Sequence, residues 1–495
     1  MSELQNNAPS KQDRKDEFDP RLEGLLEHLQ RLLPHPEQVP AFREAMTTEP
    51  GADVRVNSLL PVAATIGGRL ASISTAIPWC AQAMRLPPEL ADIVSHSLEF
   101  RLGALYMQAK ATTLAVQALD PQPGELVLDI AAAPGGKATQ IATAMVNTGL
   151  LVANEPRHRR LAALVGNLER SGAHNTLVTS VMGAELARSF HNVFDRVLLD
   201  APCSGDGIVC KDRHMLSFWS PEDAIKKSVQ QIGLLRASFH MLRPGGRLVY
   251  STCSLSTEEN EDVLLGLQRR FGDLVRIDSF PLLTDGELAA DVAVKYPASF
   301  IGAARIWPHL HATEGAFLAV ITKMGETEWD TVYEDAGPLL RQQPECVDRE
   351  GWATRIASRW DLSLQLPEGS ELIAEGRQLH LRPTGAAAFG EHPWYVRSGM
   401  RVATLHKDHY FLSQQAVALW GDQVQQRRLD IDWQQLQILF SGQACEAHSP
   451  QLTGEVICFF DDMPICRSVV SSDGTSIEGC IPKVARTPRL TRLLS

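Results

Sequence analysis

The feature that most restricts the possible folds is the alternation of short apolar runs with longer helical stretches over residues 106–323. Repeated strand–turn–helix units of this kind predict a parallel sheet covered by helices. The predicted strands are Leu126–Ile130, Leu150–Asn154, Arg196–Leu199, Arg247–Tyr250 and Ala316–Ile321, and the predicted helices are Lys137–Val146, Arg157–Ser171, Pro221–Leu242 and Thr257–Phe271. We therefore expect an α/β fold in which ligands bind at the carboxyl ends of the strands.

A loop of small residues follows the first predicted strand and leads into a helix, with the sequence AAAPGGK at Ala131–Lys137. Small side chains let a ligand approach the backbone N–H groups of a helix N-terminus. The next strand ends at Glu155, where a carboxylate is placed to accept hydrogen bonds from ribose hydroxyls, as in dinucleotide folds. The loop matches neither GxGxxG nor GxxxxGK[ST], which disfavours a nicotinamide cofactor and an ATPase phosphate loop. A tight turn without a ligand would show the same pattern.

Two later strands each end at a cysteine. The segment FDRVLLDAPCSGDG carries Asp200 and Cys203, and the segment GRLVYSTCS ends its apolar run at Cys253. Because the carboxyl ends of parallel strands meet at one edge of a sheet, these side chains are candidates for a single pocket. A lone cysteine after a strand is commonly a small buried hydrophobe. Two cysteines beside an acid and a ligand-binding loop favour chemistry instead.

Composition limits the class of protein. The chain has 495 residues, too many for one ordinary domain, with 44% hydrophobic and 21% charged residues,. It contains no apolar run of about 18 residues, and its first residues lack the apolar stretch of a secretory signal. We expect no membrane partner and a cytoplasmic location.

Nine cysteines, an odd number, include no C-x-x-C pair, so we expect neither a disulfide framework nor a metal site,. The net charge of −12 excludes a uniformly basic surface, but local basic patches are still able to bind nucleic acid,. No feature specifies an oligomer, and we expect a monomer.

These motifs resemble the Sun/RsmF-like family of RNA 5-methylcytosine methyltransferases. The family motif D-A-P-C-S-G is present at Asp200–Gly205 and the motif S-T-C-S at Ser251–Ser254. Further matches are Arg55–Asn57, Arg305–His309 and Gly315–Phe317. The resemblance covers residues 20–325 and is closest to the branch of ribosomal RNA small-subunit methyltransferases F.

The resemblance implies a Rossmann-like class I fold that binds S-adenosylmethionine. It implies Cys253 as the nucleophile, Cys203 as the residue that assists product release, and Asp200 as a contact to the target cytosine, with Lys137 completing the catalytic set. The cofactor would be held by Ala131, Ala132, Ala133, Pro134, Gly135, Gly136, Lys137, Glu155 and Asp200.

Covalent catalysis explains why such an enzyme needs a thiol. Carbon 5 of cytosine is a poor nucleophile, but a thiolate added at carbon 6 makes it enamine-like and able to accept a methyl group. A nearby carboxylate would hold the N3/N4 edge of the base and favour the protonated adduct. A base then removes the proton from carbon 5 and the enzyme thiol leaves.

Two positions depart from the family pattern. Many members carry an acid facing the adenine after the third strand, where this chain has Met182. The common Y-x-Q-[ED] segment is Tyr106–Ala109 here, without the acid. The first departure affects adenine recognition and the second a supporting contact.

The sequence divides into five predicted parts. These are a disordered tail (residues 1–19), an N-terminal α+β RNA-binding subdomain (20–105), the catalytic domain (106–325), a polar linker (326–371) and a β-rich region (372–495) that resembles a PUA-like RNA-binding extension. Lys483 and Arg486 are candidate phosphate contacts in that region. Its removal is expected to weaken RNA binding more than cofactor binding.

The substrate stays open between two RNA classes. The C-terminal resemblance favours small-subunit (16S) ribosomal RNA, whereas the catalytic motifs fit a transfer-RNA enzyme equally well. A non-catalytic RNA-binding assembly factor is the alternative from another class, since folds are reused as scaffolds. Such a scaffold would not need both thiols.

Overall fold

The computed structural model describes residues 19–280, 288–328, 349–360, 362, 366–389, 392–406, 409–447 and 451–493. The predicted tail lies outside these residues except for Asp19, whose carboxylate accepts a hydrogen bond from the Arg21 N–H at 2.9 Å and so caps the first helix,. None of the described helices is long and apolar enough to cross a membrane.

The central region alternates strands and helices as predicted. Its elements are α6 (Lys110–Leu119), β5 (Leu126–Asp129), α7 (Gly136–Ala144), β6 (Leu150–Asn154), α8 (His158–Arg170), β7 (Thr176–Thr179), α9 (Gly183–Ser189), β8 (Phe194–Asp200), α10 (Pro221–Met241), β9 (Leu242–Thr252), α11 (Glu261–Phe271), β10 (Val275–Asp278), α12 (Ala290–Ala293), β11 (Ala304–Ile306), α13 (Pro308–His311) and β12 (Ala316–Lys323). All five predicted strands are present, and the strand β7, which the apolar pattern did not single out, lies between them in sequence.

These strands form one mixed sheet in the order β10–β12–β9–β8–β5–β6–β7, with β11 beside β12. The five strands from β9 to β7 are parallel. Strand β12 pairs antiparallel with β9 and with β10, so β12 runs against the five strands and β10 runs in their direction. Helices cover both faces, so successive residues of a strand are buried on opposite sides: Leu128 packs in one core and Val127 in the other. Burial on both faces explains the continuous apolar runs in the sequence. The Rossmann-like α/β prediction is confirmed.

The N-terminal region is the predicted α+β unit. Its elements are α1 (Pro20–Gln30), α2 (Val39–Thr47), β1 (Asp53–Val56), α3 (Ala63–Ala71), β2 (Thr75–Ile77), β3 (Cys80–Arg85), α4 (Leu90–His96), α5 (Leu98–Arg101) and β4 (Leu105–Met107). The strands form an antiparallel sheet in the order β2–β3–β1–β4. Helices α1 and α2 share a core with Leu255 and Trp307 of the central region, beside the second cysteine.

The C-terminal region is rich in strands, as predicted. Its elements are α14 (Arg349–Trp360), β13 (Ser370–Glu375), β14 (Gln378–Pro383), β15 (Tyr395–Ser398), β16 (Met400–His406), β17 (His409–Leu412), α15 (Gln414–Trp420), β18 (Arg428–Asp430), α16 (Trp433–Ser441), β19 (Cys445–Glu446), β20 (Gly454–Phe460), β21 (Met463–Val470) and β22 (Ser476–Gly479). They form two sheets, β13–β14–β16–β17 and β18–β20–β21–β22–β19.

Two elements cross the predicted boundaries. Residues 349–360, assigned to the linker, form the helix α14, because Ile356 and Trp360 are buried in the core of the first C-terminal sheet. Strand β15 joins the central sheet instead, pairing antiparallel with β7. The chain also returns to the N-terminal region, where the N–H of Leu98 donates to the carbonyl of Thr491 at 2.9 Å. The three regions therefore interlock.

Candidate active site

A cavity of about 490 Å³ opens at the carboxyl ends of β5, β8 and β9, where the sequence placed the site. Its lining includes Tyr106, Ala109, Asp129, Ala131, Ala132, Ala133, Pro134, Gly136, Lys137, Asp200, Ser251, Cys253 and Glu314. Residues that are distant in the sequence thus face one space.

The segment Ala131–Lys137, named the cofactor loop after its predicted role, consists mostly of small residues. Neighbouring side chains can therefore pack closely against it. Gly135 has a φ of 113°, a left-handed conformation that favours glycine, and it precedes the first turn of α7,. A Cβ on Gly136 would approach the ring of Tyr106 to 3.3 Å. Helix α8 holds the loop from outside, since Asn167 donates to the carbonyl of Pro134 at 2.8 Å. The loop is fixed with its helix N-terminus towards the cavity.

Asp129, the last residue of β5, was not among the predicted site residues. Its carboxylate is 1% exposed, and neither oxygen completes a hydrogen bond among the described residues, although the Ala131 amide lies near. Burial, and then the charge of Asp200, raise the pKa of Asp129 to about 7,. A buried carboxylate without a partner that lines a cavity fits a cationic ligand group. The signal in the sequence was an acid at the end of the first strand.

The two predicted cysteines meet. The sulfur atoms of Cys203 and Cys253 are 2.7 Å apart, in hydrogen-bonding contact. The hydrogen bond to Cys253, followed by burial, raises the pKa of Cys203 well above its ordinary value,. Either thiol can be the donor in this contact, and the raised pKa of Cys203 favours Cys203 as the donor. Of the two cysteines, Cys253 is the one that lines the cavity.

Asp200 lies at the end of β8 between the cofactor loop and the cysteines. Its carboxylate accepts hydrogen bonds from Nζ of Lys137 at 2.7 Å and from the Ser251 hydroxyl at 2.9 Å. Burial lowers the pKa of Lys137, but the charge of Asp200 and its hydrogen bond outweigh burial, so that the pKa is raised on balance,. Cys253 is close enough to contribute in the same direction. The ammonium therefore stays charged beside both groups.

A pair of buried carboxylates holds the two cysteine loops (residues 201–206 and 253–260), and the sequence motifs did not indicate it. Asp206 accepts hydrogen bonds from the Leu255 N–H at 2.6 Å and the Ser254 hydroxyl at 2.8 Å. Glu259 accepts from the Ser204 N–H at 3.0 Å and also from the Ser204 hydroxyl. Each acid reaches from one loop to the other, so the two cysteines are held together.

The remaining predicted residues lie at the margins of the site. Glu155 is 1% exposed, and its carboxylate accepts from the Arg157 N–H and from Arg160, both at 2.9 Å, outside the cavity lining. Met182 is 58% exposed and precedes α9 without a side-chain cap. Where an acid is missing at Ala109, the carboxylate of Asp53 accepts the Lys110 N–H at 2.8 Å and caps α6 instead.

Comparison with known proteins places this arrangement in a context. A family profile described as 16S rRNA methyltransferase RsmB/F matches residues 116–322. The chain is 30% identical over 475 residues to the ribosomal RNA small subunit methyltransferase F of Erwinia tasmaniensis, an alignment that spans 93% of this chain and 95% of that protein. The corresponding protein of Klebsiella pneumoniae is 31% identical over 430 residues, spanning 83% of this chain and 86% of that protein.

Two solved structures have a fold similar to that of this chain. A methyltransferase homolog protein from Pyrococcus horikoshii superposes with a TM-score of 0.53 at 31% identity and covers 62% of this chain and 100% of its own. The structure of NSun6 from the same organism, with SFG, has a TM-score of 0.51 at 20% identity, covering 61% of this chain and 98% of its own, and supports the fold alone.

Proposed function

Because the chain belongs to the RsmB/F family of 16S rRNA methyltransferases, we propose that it transfers a methyl group from S-adenosylmethionine to carbon 5 of a cytosine in small-subunit ribosomal RNA. The observation that carries the proposal is the contact between Cys203 and Cys253 at the wall of the cavity that also contains the cofactor loop. A scaffold protein would have no use for this arrangement of thiols.

The cavity fits S-adenosylmethionine by the chemistry of its lining. The carboxylate of Asp129, which has no hydrogen-bond partner in the part of the chain that the structure describes, suits the ammonium group of the methionyl part,. The backbone N–H groups at the start of α7 suit its carboxylate, as helix N-termini suit anions. The cofactor would supply an electrophilic methyl group. Glu155 is proposed, from the resemblance, to bind the ribose, which requires its bond to Arg160 to yield or to be shared.

Cys253 is the proposed nucleophile. Its sulfur is placed to accept a hydrogen bond from the thiol of Cys203, whose pKa is raised, and Cys253 lines the cavity where the base would bind. The Lys137 ammonium stabilises negative charge there. Bond formation between this sulfur and carbon 6 moves the electron pair of the C5–C6 bond into the ring, with a proton taken up at N3. Asp200 holds the N3/N4 edge and favours this protonated adduct.

Release then reverses the addition. Carbon 5 takes the methyl group, which would leave S-adenosylhomocysteine. A base then removes the carbon-5 proton, the C5–C6 double bond re-forms, the sulfur of Cys253 leaves with the electron pair of its bond to carbon 6, and N3 gives up the proton that it took up. Cys203 is placed to assist, because its sulfur is 2.7 Å from the leaving sulfur and can return a hydrogen bond to it. The target base must leave any RNA stack to reach the cavity, as in other enzymes that modify bases.

Methyl transfer from labelled S-adenosylmethionine tests the reaction and the substrate together. Total RNA and ribosomal particles from cells that lack the protein would be fractionated after reaction and digested to nucleosides. We expect label in 5-methylcytidine from small-subunit ribosomal RNA. Label in transfer RNA would assign the other RNA class, and label in another nucleoside would overturn the carbon-5 chemistry.

The variant Cys203→Ala tests the order of the two cysteines. We expect a covalent protein–RNA adduct that survives denaturant, because addition by Cys253 proceeds while release is slow. The double variant Cys203→Ala/Cys253→Ala is the control and should form no adduct. Normal turnover of Cys203→Ala without an adduct would remove the release role from Cys203.

A further inference from the structure

The C-terminal region reaches the cofactor loop through one strand. Strand β15 pairs with β7, and the Ser180 N–H, just beyond the end of β7, donates to the carbonyl of Trp394 at 2.8 Å. The Trp394 ring stacks on His392 at 4.2 Å and packs against Phe190 of the central core. An ion pair between Arg397 and Glu169 links the same strand to α8. The C-terminal region thus completes the edge of the central sheet.

From the end of β7 the connection continues through Asn154, the last residue of β6, which is fully buried. Its amide oxygen accepts hydrogen bonds from the Thr179 hydroxyl at 2.9 Å and from the Val181 N–H at 3.2 Å. Its amide nitrogen donates at 3.0 Å to the carbonyl of Ile130 and to that of Val181. The side chain therefore ties the β7 end to the residue that precedes the cofactor loop.

The backbone of Asn154 adds a direct bond to that loop, since its carbonyl accepts the Ala132 N–H at 2.8 Å. The next residue, Glu155, donates its N–H to the carbonyl of Thr179 at 3.0 Å. Trp394 is thus connected to Ala132 by hydrogen bonds between buried or half-buried groups, joined by the short backbone segment Thr179–Val181. Such bonds are costly to leave unmade, so the loop and the strand support each other.

We propose that Asn154 and strand β15 are positioning elements of the cofactor site, so that the C-terminal region determines affinity for S-adenosylmethionine as well as contacts with RNA. The inference rests on the proposed function only in the identity of the cofactor. It alters the expectation for removal of residues 372–495, which would cost cofactor affinity too.

The first test compares two buried asparagines. Asn154→Ala should raise the KM for S-adenosylmethionine about tenfold or more, while kcat at saturating cofactor stays within about twofold, because the cysteine loops are held separately. The control Asn175→Ala changes an equally buried asparagine just before β7, at the opposite end of that strand, whose amide donates to the carbonyl of Thr148. An equal rise in KM in both variants would assign Asn154 a merely structural role and overturn the proposal.

The second test compares two half-buried tryptophans of the C-terminal region. Trp394→Ala should weaken S-adenosylhomocysteine binding about fivefold, measured by calorimetry on the full chain. Trp433→Ala, which removes a ring packed on Phe460 away from β15, should leave it unchanged. Equal affinities of the wild-type chain and Trp394→Ala for S-adenosylhomocysteine would overturn the proposal. If the wild-type chain binds no S-adenosylhomocysteine, the proposed function itself fails.

Hydrogen exchange on the wild-type chain gives the same answer without a variant. Coupling is reciprocal, so S-adenosylhomocysteine should slow amide exchange at Ser180 and in residues 394–399 as well as in the cofactor loop. Slowing confined to the cofactor loop would contradict the proposal.

Discussion

Two groups of loops share the carboxyl edge of the central sheet, and different chemistry holds each of them. Buried carboxylates, Asp206 and Glu259, hold the cysteine loops. The neutral amide of Asn154 holds the cofactor loop. The carboxylates and the amide both join one strand end to another, but only the carboxylates add negative charge to the site.

The difference fits the roles that we propose for the two sides. Negative charge from Glu259 and Asp200 contributes to the raised pKa of Cys203, after its hydrogen bond to Cys253 and its burial, and so keeps that thiol protonated. On the cofactor side, Asp129 is the group that we propose to pair with the ammonium group of the cofactor, and a second fixed charge at Asn154 would compete with it. Charged and neutral side chains can therefore both hold a loop in place, and the proposed chemistry of each side determines which kind is tolerated there.

The largest expected effect is a loss of methyl transfer without a loss of cofactor binding, which would separate the cysteine side of the site from the cofactor side. Cys253→Ala should lower methyl transfer by at least about 10⁴-fold, because the covalent step is lost, while the Kd for S-adenosylmethionine changes less than about twofold. Cys210→Ala is the control, since this buried cysteine lies near the same loop and donates a hydrogen bond to the carbonyl of Gly207. Retained turnover in Cys253→Ala would refute its role as nucleophile.

Removing the charge of one of the two buried carboxylates that join the cysteine loops should lower kcat without changing the affinity for the cofactor. In Asp206→Asn the hydroxyl and N–H donors lose a charged acceptor, so the cysteines separate, and we expect kcat to fall about tenfold or more with unchanged affinity for S-adenosylmethionine. Asp195→Asn changes an acid at the other end of β8 and serves as the control. A matching loss of cofactor affinity in Asp206→Asn would show that the two sides are not held independently.

Asp129 should make cofactor binding depend on pH. Because its pKa is raised to about 7, ionisation on raising the pH through that value should tighten binding of S-adenosylmethionine, and Asp129→Asn should bind weakly at every pH,. Between the unfolded pKa of 3.8 and the folded pKa of about 7, Asp129 holds a proton in the folded chain without cofactor, whereas the unfolded chain has released it. This contribution to stability is therefore complete below the unfolded pKa and lost as pH rises towards 7.

Asp129→Asn should in consequence be more stable than the wild type at pH 8, by on the order of 1 kcal/mol, although it binds less cofactor. Calorimetric titration at several pH values and thermal unfolding without cofactor would measure both effects. Binding by Asp129→Asn that still follows pH with the wild-type profile would show that another group titrates.

The smallest expected effect comes from restoring a family residue. Met182→Asp should stabilise the chain by about 1 kcal/mol, because the carboxylate can cap α9, and it should tighten S-adenosylmethionine binding about two- to fivefold by contacting the adenine,. Met324→Asp, at another exposed methionine, is the control. A gain in stability with no gain in affinity would limit the change to helix capping.

Local pattern and motif were sufficient for much of this protein. The two-sided burial of parallel strands leaves continuous apolar runs, so the sheet was readable from residues such as those of β5 and β6,. Strand ends of one sheet must share an edge, so Asp200, Cys203 and Cys253 could be placed together in advance. Strand β7 was harder, since Thr176 and Thr179 interrupt its apolar character.

What the sequence by itself determined is the α/β fold, the edge that carries the site, and the residues of the cysteine and cofactor motifs, because each follows from short-range spacing. Only the tertiary structure decided that the Asp129 carboxylate completes no hydrogen bond among the described residues, that Asp206 and Glu259 join the cysteine loops, and that β15 completes the sheet beside Asn154. These features are contacts between segments far apart in the chain. Whether a polar group is satisfied depends on every neighbour that folding brings to it, and no local pattern records that.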